Sequence, residues 1–228
     1  MISILLPTYN QAKFLPAALA GLRAQTFRDF EVIACDDAST DETGTILADA
    51  GIRTITHKVN HGTAYAINQA WALSGCELIT WISSDNVMRP TWLETLARYL
   101  KANPHAGAVY SAYVRHEGEK ATEVHPNYPA GSLIESENSY FGPSFLIRSE
   151  VWQDHRGGTA HDYDNWARVE EACWARGWHI GYVDDLLCDY HVGPWCTARK
   201  HPERYDAGKW RAQAIERRKQ CGSALSLR

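Results

Sequence analysis

No apolar run in this 228-residue chain approaches the roughly 18 residues that a membrane-spanning helix needs. The opening Met-Ile-Ser-Ile-Leu-Leu-Pro lacks the basic flank and the length of a signal peptide. The expectation is a cytosolic protein, with peripheral contact at the inner face of the membrane near its C-terminus as the remaining membrane role. An excess of basic charge is missing too. Lys and Arg number 23 against 27 Asp and Glu, a formal net charge of -4, and no strongly basic region precedes residue 198. That balance excludes the electrostatic footprint of a nucleic-acid binder. The six cysteines, at 35, 76, 173, 188, 196 and 221, include no Cys-x-x-Cys pair and no regular spacing, which excludes a disulfide framework and a zinc module. They read as reduced, buried thiols. Absent as well are Gly-x-Gly-x-x-Gly and a Walker lysine, which argues against a dinucleotide or P-loop site.

What is present is an ordinary globular composition, 45% hydrophobic and 22% charged, with a high count of nine Trp. The length suits one domain able to bury its own core. Extra Trp is core material first and an aromatic platform for a ring-shaped ligand second.

Local patterns alternate. Ile2 to Leu6 reads as a strand, Pro7-Thr8-Tyr9-Asn10 breaks it, and Gln11 to Gln25 carries Phe14, Leu15, Ala18, Leu19 and Leu22 at helical spacing. Phe30 to Cys35 is a second strand, after which Thr40 or Asp41 caps a helix to about Ala50. Ile52 to Thr56 is a third. Asn60-His61-Gly62-Thr63 opens a helix to about Leu73, whose apolar stripe Ala64, Ile67 and Trp71 also holds Asn68. Leu78 to Ile82 is a buried strand with the polar tip Ser83-Ser84-Asp85-Asn86, and Pro90 starts a helix that stops before Asn103-Pro104. Strands alternating with helices predict an α/β chain with a doubly wound, mostly parallel sheet.

In such a sheet the loops after successive strands share one edge. Pro7 to Asn10, Asp36-Asp37 and Ser83 to Asn86 therefore converge on one crevice. Carboxylates beside a phosphate-bearing ligand repel it unless a divalent cation stands between, so a metal-bridged nucleotide reconciles the three tips. The plainer reading, helix caps and turns, accounts for Ser39 and Asp41 but less well for Asp36-Asp37 and Ser84-Asp85.

Beyond residue 107 the alternation decays. Ala108 to Val114 is a strand, Glu117 to Asn138 a polar excursion, and Phe141 to Arg148 a turn entering a strand. His161 to Arg168 starts a helix running to about Arg176, with Asp162 and Asp164 in its first turn. Two acids there suit the helix dipole and equally suit a general base in a sugar-binding cleft; the residues alone leave both readings open. His179 to Val183 and Leu186 to Tyr190 read as strands around an Asp184-Asp185 turn, with His191 to Trp195 a loop. Pro202 to Arg218 is a basic helix, either a solvated face or a contact for phosphates or anionic lipid.

In order along the chain, Ser3-Ile4-Leu5-Leu6-Pro7-Thr8-Tyr9-Asn10, Phe30-Glu31-Val32-Ile33 with Asp36 to Asp41, Asn60-His61-Gly62 through Asn68, and Ser83-Ser84-Asp85-Asn86 with Pro90 resemble the family 2 inverting glycosyltransferases of the GT-A fold. Gly142-Pro143-Ser144, Asp162 to Arg168 and His191 fall in that family's order as well. The resemblance implies a nucleotide-sugar half at 1–105, an acceptor and catalytic half at 106–200, and a basic helical tail at 201–228. It implies a UDP- or dTDP-linked donor, with Pro7, Thr8, Tyr9 and Asn10 lining the nucleoside pocket and Asp37 accepting a hydrogen bond from the base. Asn68 and Ser84 join that donor site. The family's metal motif falls on Ser83, Ser84 and Asp85, so Asp85 would hold Mn2+ or Mg2+ against the diphosphate, with His191 a later ligand. The base that deprotonates the acceptor hydroxyl, on a glycan, a lipid-linked sugar or a small molecule, maps onto Asp162, with Asp164 second.

Two positions depart from the family pattern. Ser83 replaces the first acid of the metal motif, and His161 the Glu of the Glu-Asp pair. A non-catalytic sugar-nucleotide binding module of the same fold is the alternative these losses favour. A nucleotidyltransferase, which opens on a Gly-rich basic loop, is not supported by Pro7-Thr8-Tyr9-Asn10.

Overall fold

A strand buried on both faces must be apolar on both, and the first strand lies inside the sheet. The computed structural model describes residues 1–127, 142–155 and 162–193, with 154–155 and 162–167 through their backbone. In chain order the elements are β1 (Ile2–Thr8), α1 (Leu15–Arg23), β2 (Phe30–Asp36), α2 (Thr43–Asp49), β3 (Arg53–Thr56), α3 (Thr63–Ala72), β4 (Leu78–Trp81) and β5 (Asn86–Met88). After these come α4 (Trp92–Ala102), β6 (Ala106–Glu117), β7 (Lys120–Val124), β8 (Phe145–Arg148), α5 (Ser149–His155), α6 (Asp162–Ala175) and β9 (His179–Val192).

Ile2, Ile4 and Leu6 of β1 pack with Leu15, Leu19 and Leu22 of α1, Leu47 of α2 and Trp92, Leu93 and Leu96 of α4. Leu5 points the other way, into a cluster with Ala66, Ile67 and Ala70 of α3 and with Val151, Trp152 and Val169 of α5 and α6. Two helical layers thus cover one sheet, the arrangement that makes near-continuous apolar strands stable. None of the helices among the described residues is long and apolar enough to cross a membrane.

The strand order is β3-β2-β1-β4-β8-β6-β9-β5, with β7 on β6. The first four strands are parallel, as expected. The sheet then departs from uniform parallel pairing: β8 runs antiparallel to β4 and β6, β9 is parallel to β6, and β5 is antiparallel to β9.

Several expectations change in detail. Asn86, expected in the polar tip, instead begins a three-residue strand that ends at Met88. Glu117 is not the start of an irregular excursion but the end of β6, which turns through Gly118-Glu119 into β7, pairing Glu117 with Lys120. Gly118, at φ 60, takes a position in that two-residue loop where a positive φ is needed. Residues 128–138 of the expected excursion lie outside the described residues. Asp184-Asp185 is not a turn between two strands. Val183 pairs with Ser111 and Leu186 with Ala112, so the two acids are the extra residues of a bulge within one strand. Adjacent acids are depleted in strands, which is why they read as a break. His191 and Val192, expected in a loop, belong to β9 as well. On α3 the buried positions are Ala66, Ile67 and Ala70, so the core face is rotated from the expected Ala64-Ile67-Trp71 stripe and Asn68 is only half-buried at its edge.

One close approach matters later. A Cβ at Gly21 would meet the Met88 carbonyl oxygen at 2.9 Å, so α1 lies against the backbone of β5 only because position 21 has no side chain.

Candidate active site

The loops after β1, β2 and β4 do converge. The Asp37 amide donates to the Thr8 carbonyl at 2.9 Å, and Ser84 Oγ donates to the Pro7 carbonyl at 3.4 Å. Asn10 joins the first two loops from both sides: its amide donates to Ser39 Oγ at 2.9 Å, and its Oδ1 accepts from the Thr40 amide at 2.8 Å. Asn10 and Ala38 hold φ of 52 and 68. Asn tolerates that region, whereas for Ala it costs on the order of 1 kcal/mol, strain of the kind that collects at ligand sites. Of the residues expected to line the donor pocket, Thr8 and Ser84 are buried, Pro7 and Asn68 are half-buried, and Tyr9 and Asn10 are exposed.

Asp37 is engaged more than the sequence indicated. It is 3% exposed. Its Oδ1 lies 2.7 Å from His57 Nδ1, and its carboxylate accepts the amides of His61 at 3.0 Å and Gly62 at 2.7 Å. These amides sit at the start of α3, where the helix dipole favours an anion. Asp37 therefore caps α3 across space and pins the Asn60–Gly62 segment to the crevice. The rings of His57, His61 and Tyr65 pack with centroids 4.6 to 5.3 Å apart along its rim. Behind them Cys35 Sγ lies 3.6 Å from His57 Nε2. That is the outline of a Cys-His-Asp arrangement, but burial, then the charges of Asp37 and Asp36, push the thiol up to about 12. At that value it is no nucleophile.

The third tip meets β9. Asn86 pairs with Tyr190, which carries the half-buried Asp85 beside His191, and His191 Nδ1 donates to the Asp85 carbonyl oxygen at 3.2 Å. The two expected metal donors are neighbours in space although 106 residues apart. Among the described residues no group of three or more His, Cys, Asp or Glu side chains could hold an ion. One carboxylate and one imidazole fit a hard cation that takes its remaining ligands from phosphate oxygens and water, not a protein-only cage. Beside them Asn86 Oδ1 is buried without a hydrogen-bond partner among the described residues, an acceptor of the kind a bound water satisfies.

A row of polar side chains continues from His191. Its ring stacks on His116, centroids 4.8 Å apart and planes 15° apart. His116 Nε2 lies 2.9 Å from Asp189 Oδ1, and Arg89 donates to both oxygens of Asp189 at 3.2 Å. Burial works to raise the Asp189 carboxyl, but the hydrogen bonds from Arg89 and His116 outweigh it and hold it below the usual range. None of these three was expected from the sequence. Asp189 had a usable signal, because it stands two residues before His191 and so shares its face of a strand.

Further down β9, a cleft of about 470 Å³ is lined by Arg89, Glu94, Arg98, His125, Asp184 and Asp185 among others. It meets the site only through Arg89. There His125 Nδ1 pairs with Asp184 Oδ1 at 2.6 Å, tying the chain after β7 to the bulge. The Asp184 hydrogen bond raises the His125 imidazole, and hydrogen bonds from Tyr182, then His125, lower Asp184. The contribution of His125 is complete below its ordinary range and fades as pH rises through its raised pKa. That of Asp184 is present above the ordinary carboxylate range and fades in acid. Proton titration of His125 by NMR is expected to give a midpoint above that of an ordinary histidine, and Asp184→Asn to bring it down; an unmoved midpoint would remove the pair.

Asp162, the expected base, is the first residue of α6, and Asp164 stands two further on. Their side chains, His161 and the tail at 201–228 lie outside what the structure describes.

Known proteins share this architecture. The profile of the family described as Glycosyl transferase family 2 matches residues 3–160. The glycosyltransferase GlyG of Streptococcus pneumoniae is 26% identical over 192 residues, covering 74% of this chain and 64% of its own. Crystalline TarS of S. aureus in complex with UDP-GlcNAc superposes with a TM-score of 0.76 at 19% identity, covering 94% of this chain and 66% of that one. The mannosyltransferase PcManGT from Pyrobaculum calidifontis, in complex with GDP-Man and Mn2+, gives 0.66 at 17% identity, over 99% of this chain and 76% of that one. This chain thus spans under two thirds of the length of GlyG and of the TarS chain. The structural likeness shows the GT-A fold, and the profile, covering well over half of the sequence, shows that the chain belongs to glycosyl transferase family 2.

Proposed function

We propose that this protein is a metal-dependent, inverting glycosyltransferase that moves a sugar from a UDP- or dTDP-linked donor to a hydroxyl of a glycan, lipid-linked sugar or small molecule. The observation that carries the reading is the union of three polar strand-end loops with the Asp85–His191 neighbourhood at one edge of the sheet. Support comes from the complexes of the fold's other members, TarS with UDP-GlcNAc and PcManGT with GDP-Man and Mn2+.

In this reading Pro7, Thr8, Tyr9, Asn10 and Asn68 border the nucleoside. Asp37 is the acceptor for an N–H of the base; its two oxygens already carry two protein contacts each, so that bond forms in exchange for one arm of the shared His61 amide contact. Asp85 and His191 hold the ion, with Ser84 shaping the turn. A bound divalent cation stabilises the charge that grows on the departing diphosphate. Asp162, or failing it Asp164, takes the proton of the acceptor hydroxyl as it attacks from the opposite face. A single displacement of this kind inverts the anomeric centre.

Release of nucleoside diphosphate from a panel of sugar nucleotides with Mn2+ tests the reading: release is expected with a UDP or dTDP sugar and to cease with a chelator. The sparse metal shell and the serine at 83 favour a second reading, a sugar-nucleotide binding module without turnover. Donor binding by calorimetry with no release under any metal or acceptor would establish that alternative.

A further inference from the structure

The geometry points to His116 and Asp189 as positioning residues that hold the ring plane of His191 so that its Nδ1 meets the Asp85 carbonyl, and this inference rests on the reading that His191 faces the donor's metal and diphosphate. His116 and His191 are directly opposed in the parallel pairing of β6 and β9, so their side chains leave the same face of the sheet. Neighbouring strands are about 4.8 Å apart, and the observed centroid separation of 4.8 Å shows the two imidazoles lying flat on each other across that gap.

A stack alone leaves the lower ring free to slide. Here His116 Nε2 is tied to Asp189 Oδ1 at 2.9 Å, and Asp189 is gripped by the two-pronged Arg89 contact at 3.2 Å. Arg89 is itself held, its amide donating to the Leu187 carbonyl at 2.9 Å. The chain Arg89–Asp189–His116 therefore fixes a platform, and the platform fixes the plane of His191. The second restraint is the hydrogen bond from His191 Nδ1 to the Asp85 carbonyl. Donation from Nδ1 makes Nε2 the lone-pair nitrogen, the form in which an imidazole ligates a metal. His191 is thus oriented on a ring face and on a ring nitrogen before any ligand arrives. Partners of this outer kind are worth roughly 10- to 100-fold in metal affinity where they have been removed from other sites.

The test uses two variants and two readouts. His116→Ala removes the platform, whereas His116→Phe keeps a flat ring without the Asp189 contact. Nitrogen-15 spectra of the metal-free protein at alkaline pH report the His191 tautomer directly. Wild type is expected to show Nδ1–H as the dominant form, His116→Ala a mixture of tautomers, and His116→Phe, which keeps the ring but loses its tie, a partial shift between the two. Binding of Mn2+ in the presence of UDP, followed by electron paramagnetic resonance, is expected to weaken roughly 10- to 100-fold in His116→Ala and less in His116→Phe. Asp189→Asn, which keeps the ring and only weakens its tie, should lower Mn2+ binding no more than His116→Phe does. A His191 spectrum unchanged in folded His116→Ala overturns the inference; if His116→Ala does not fold, a wild-type spectrum dominated by Nε2–H does so instead. Absence of any Mn2+ binding to wild type with UDP, alongside the expected spectra, would remove the metal reading and leave the positioning intact.

Discussion

Asp85→Ala is expected to abolish metal-dependent release of nucleoside diphosphate, while Ser83→Ala keeps most of it. The two residues sit two apart in one turn, yet their surroundings differ. Asp85 is half-buried with its carbonyl held by His191, and Ser83 is exposed. If Asp85 is the only acid at the ion, its loss removes several kcal/mol of leaving-group stabilisation, roughly 10³-fold in rate. Ser83 supplies no charge, so its hydroxyl changes little. The paired comparison, run as Mn2+ titrations of product release at saturating donor, separates metal loss from general damage. Equal behaviour of the two variants would sink the metal assignment.

Asp162→Asn is expected to lower kcat by roughly 10² to 10⁴, the usual worth of a positioned general base, with the donor KM nearly unchanged. Asparagine suits the comparison because it keeps the shape of the side chain and its ability to cap a helix start, so folding of α6 should survive. What it loses is the capacity to take a proton. Asp164→Asn is the control and should remain near wild type. Full turnover by Asp162→Asn, measured as sugar transferred and not merely donor hydrolysed, would take Asp162 out of the role. A large loss in Asp164→Asn alone would move the role there.

The first hundred residues were legible because their signals were local. Ile2 to Leu6, Phe30 to Cys35 and Leu78 to Ile82 are apolar runs broken by polar tips, and each became a parallel strand with its tip at the shared edge. The second half was harder, since its strands depend on partners distant in sequence. Asn86–Met88 is too short to announce itself and exists because β9 offers it a ladder. Asp184-Asp185 read as a break because acids seldom lie in a strand, yet a bulge absorbs them without ending the pairing. The site shows the same division. Asp85 stood out as a carboxylate on an apolar run, and His191 came from the family pattern. His116 offered no pattern at all, since its meaning lies in a cross-strand register that a single sequence does not print.

Gly21 gives the Asp85 turn a mechanical neighbour. The turn is tethered at one end by β4, inside the sheet, and at the other by the three residues of β5, and it is on β5 that α1 rests, backbone against backbone. The spacing between a surface helix and a short strand thereby becomes a gauge for where the carboxylate stands relative to the other two loops. A methyl group added at position 21 has nowhere to go except into that spacing, and the displacement would be delivered to the tip from behind. The placing of the Asp85 carboxylate can consequently be tuned, or spoiled, from a helix residue that lies outside the crevice itself.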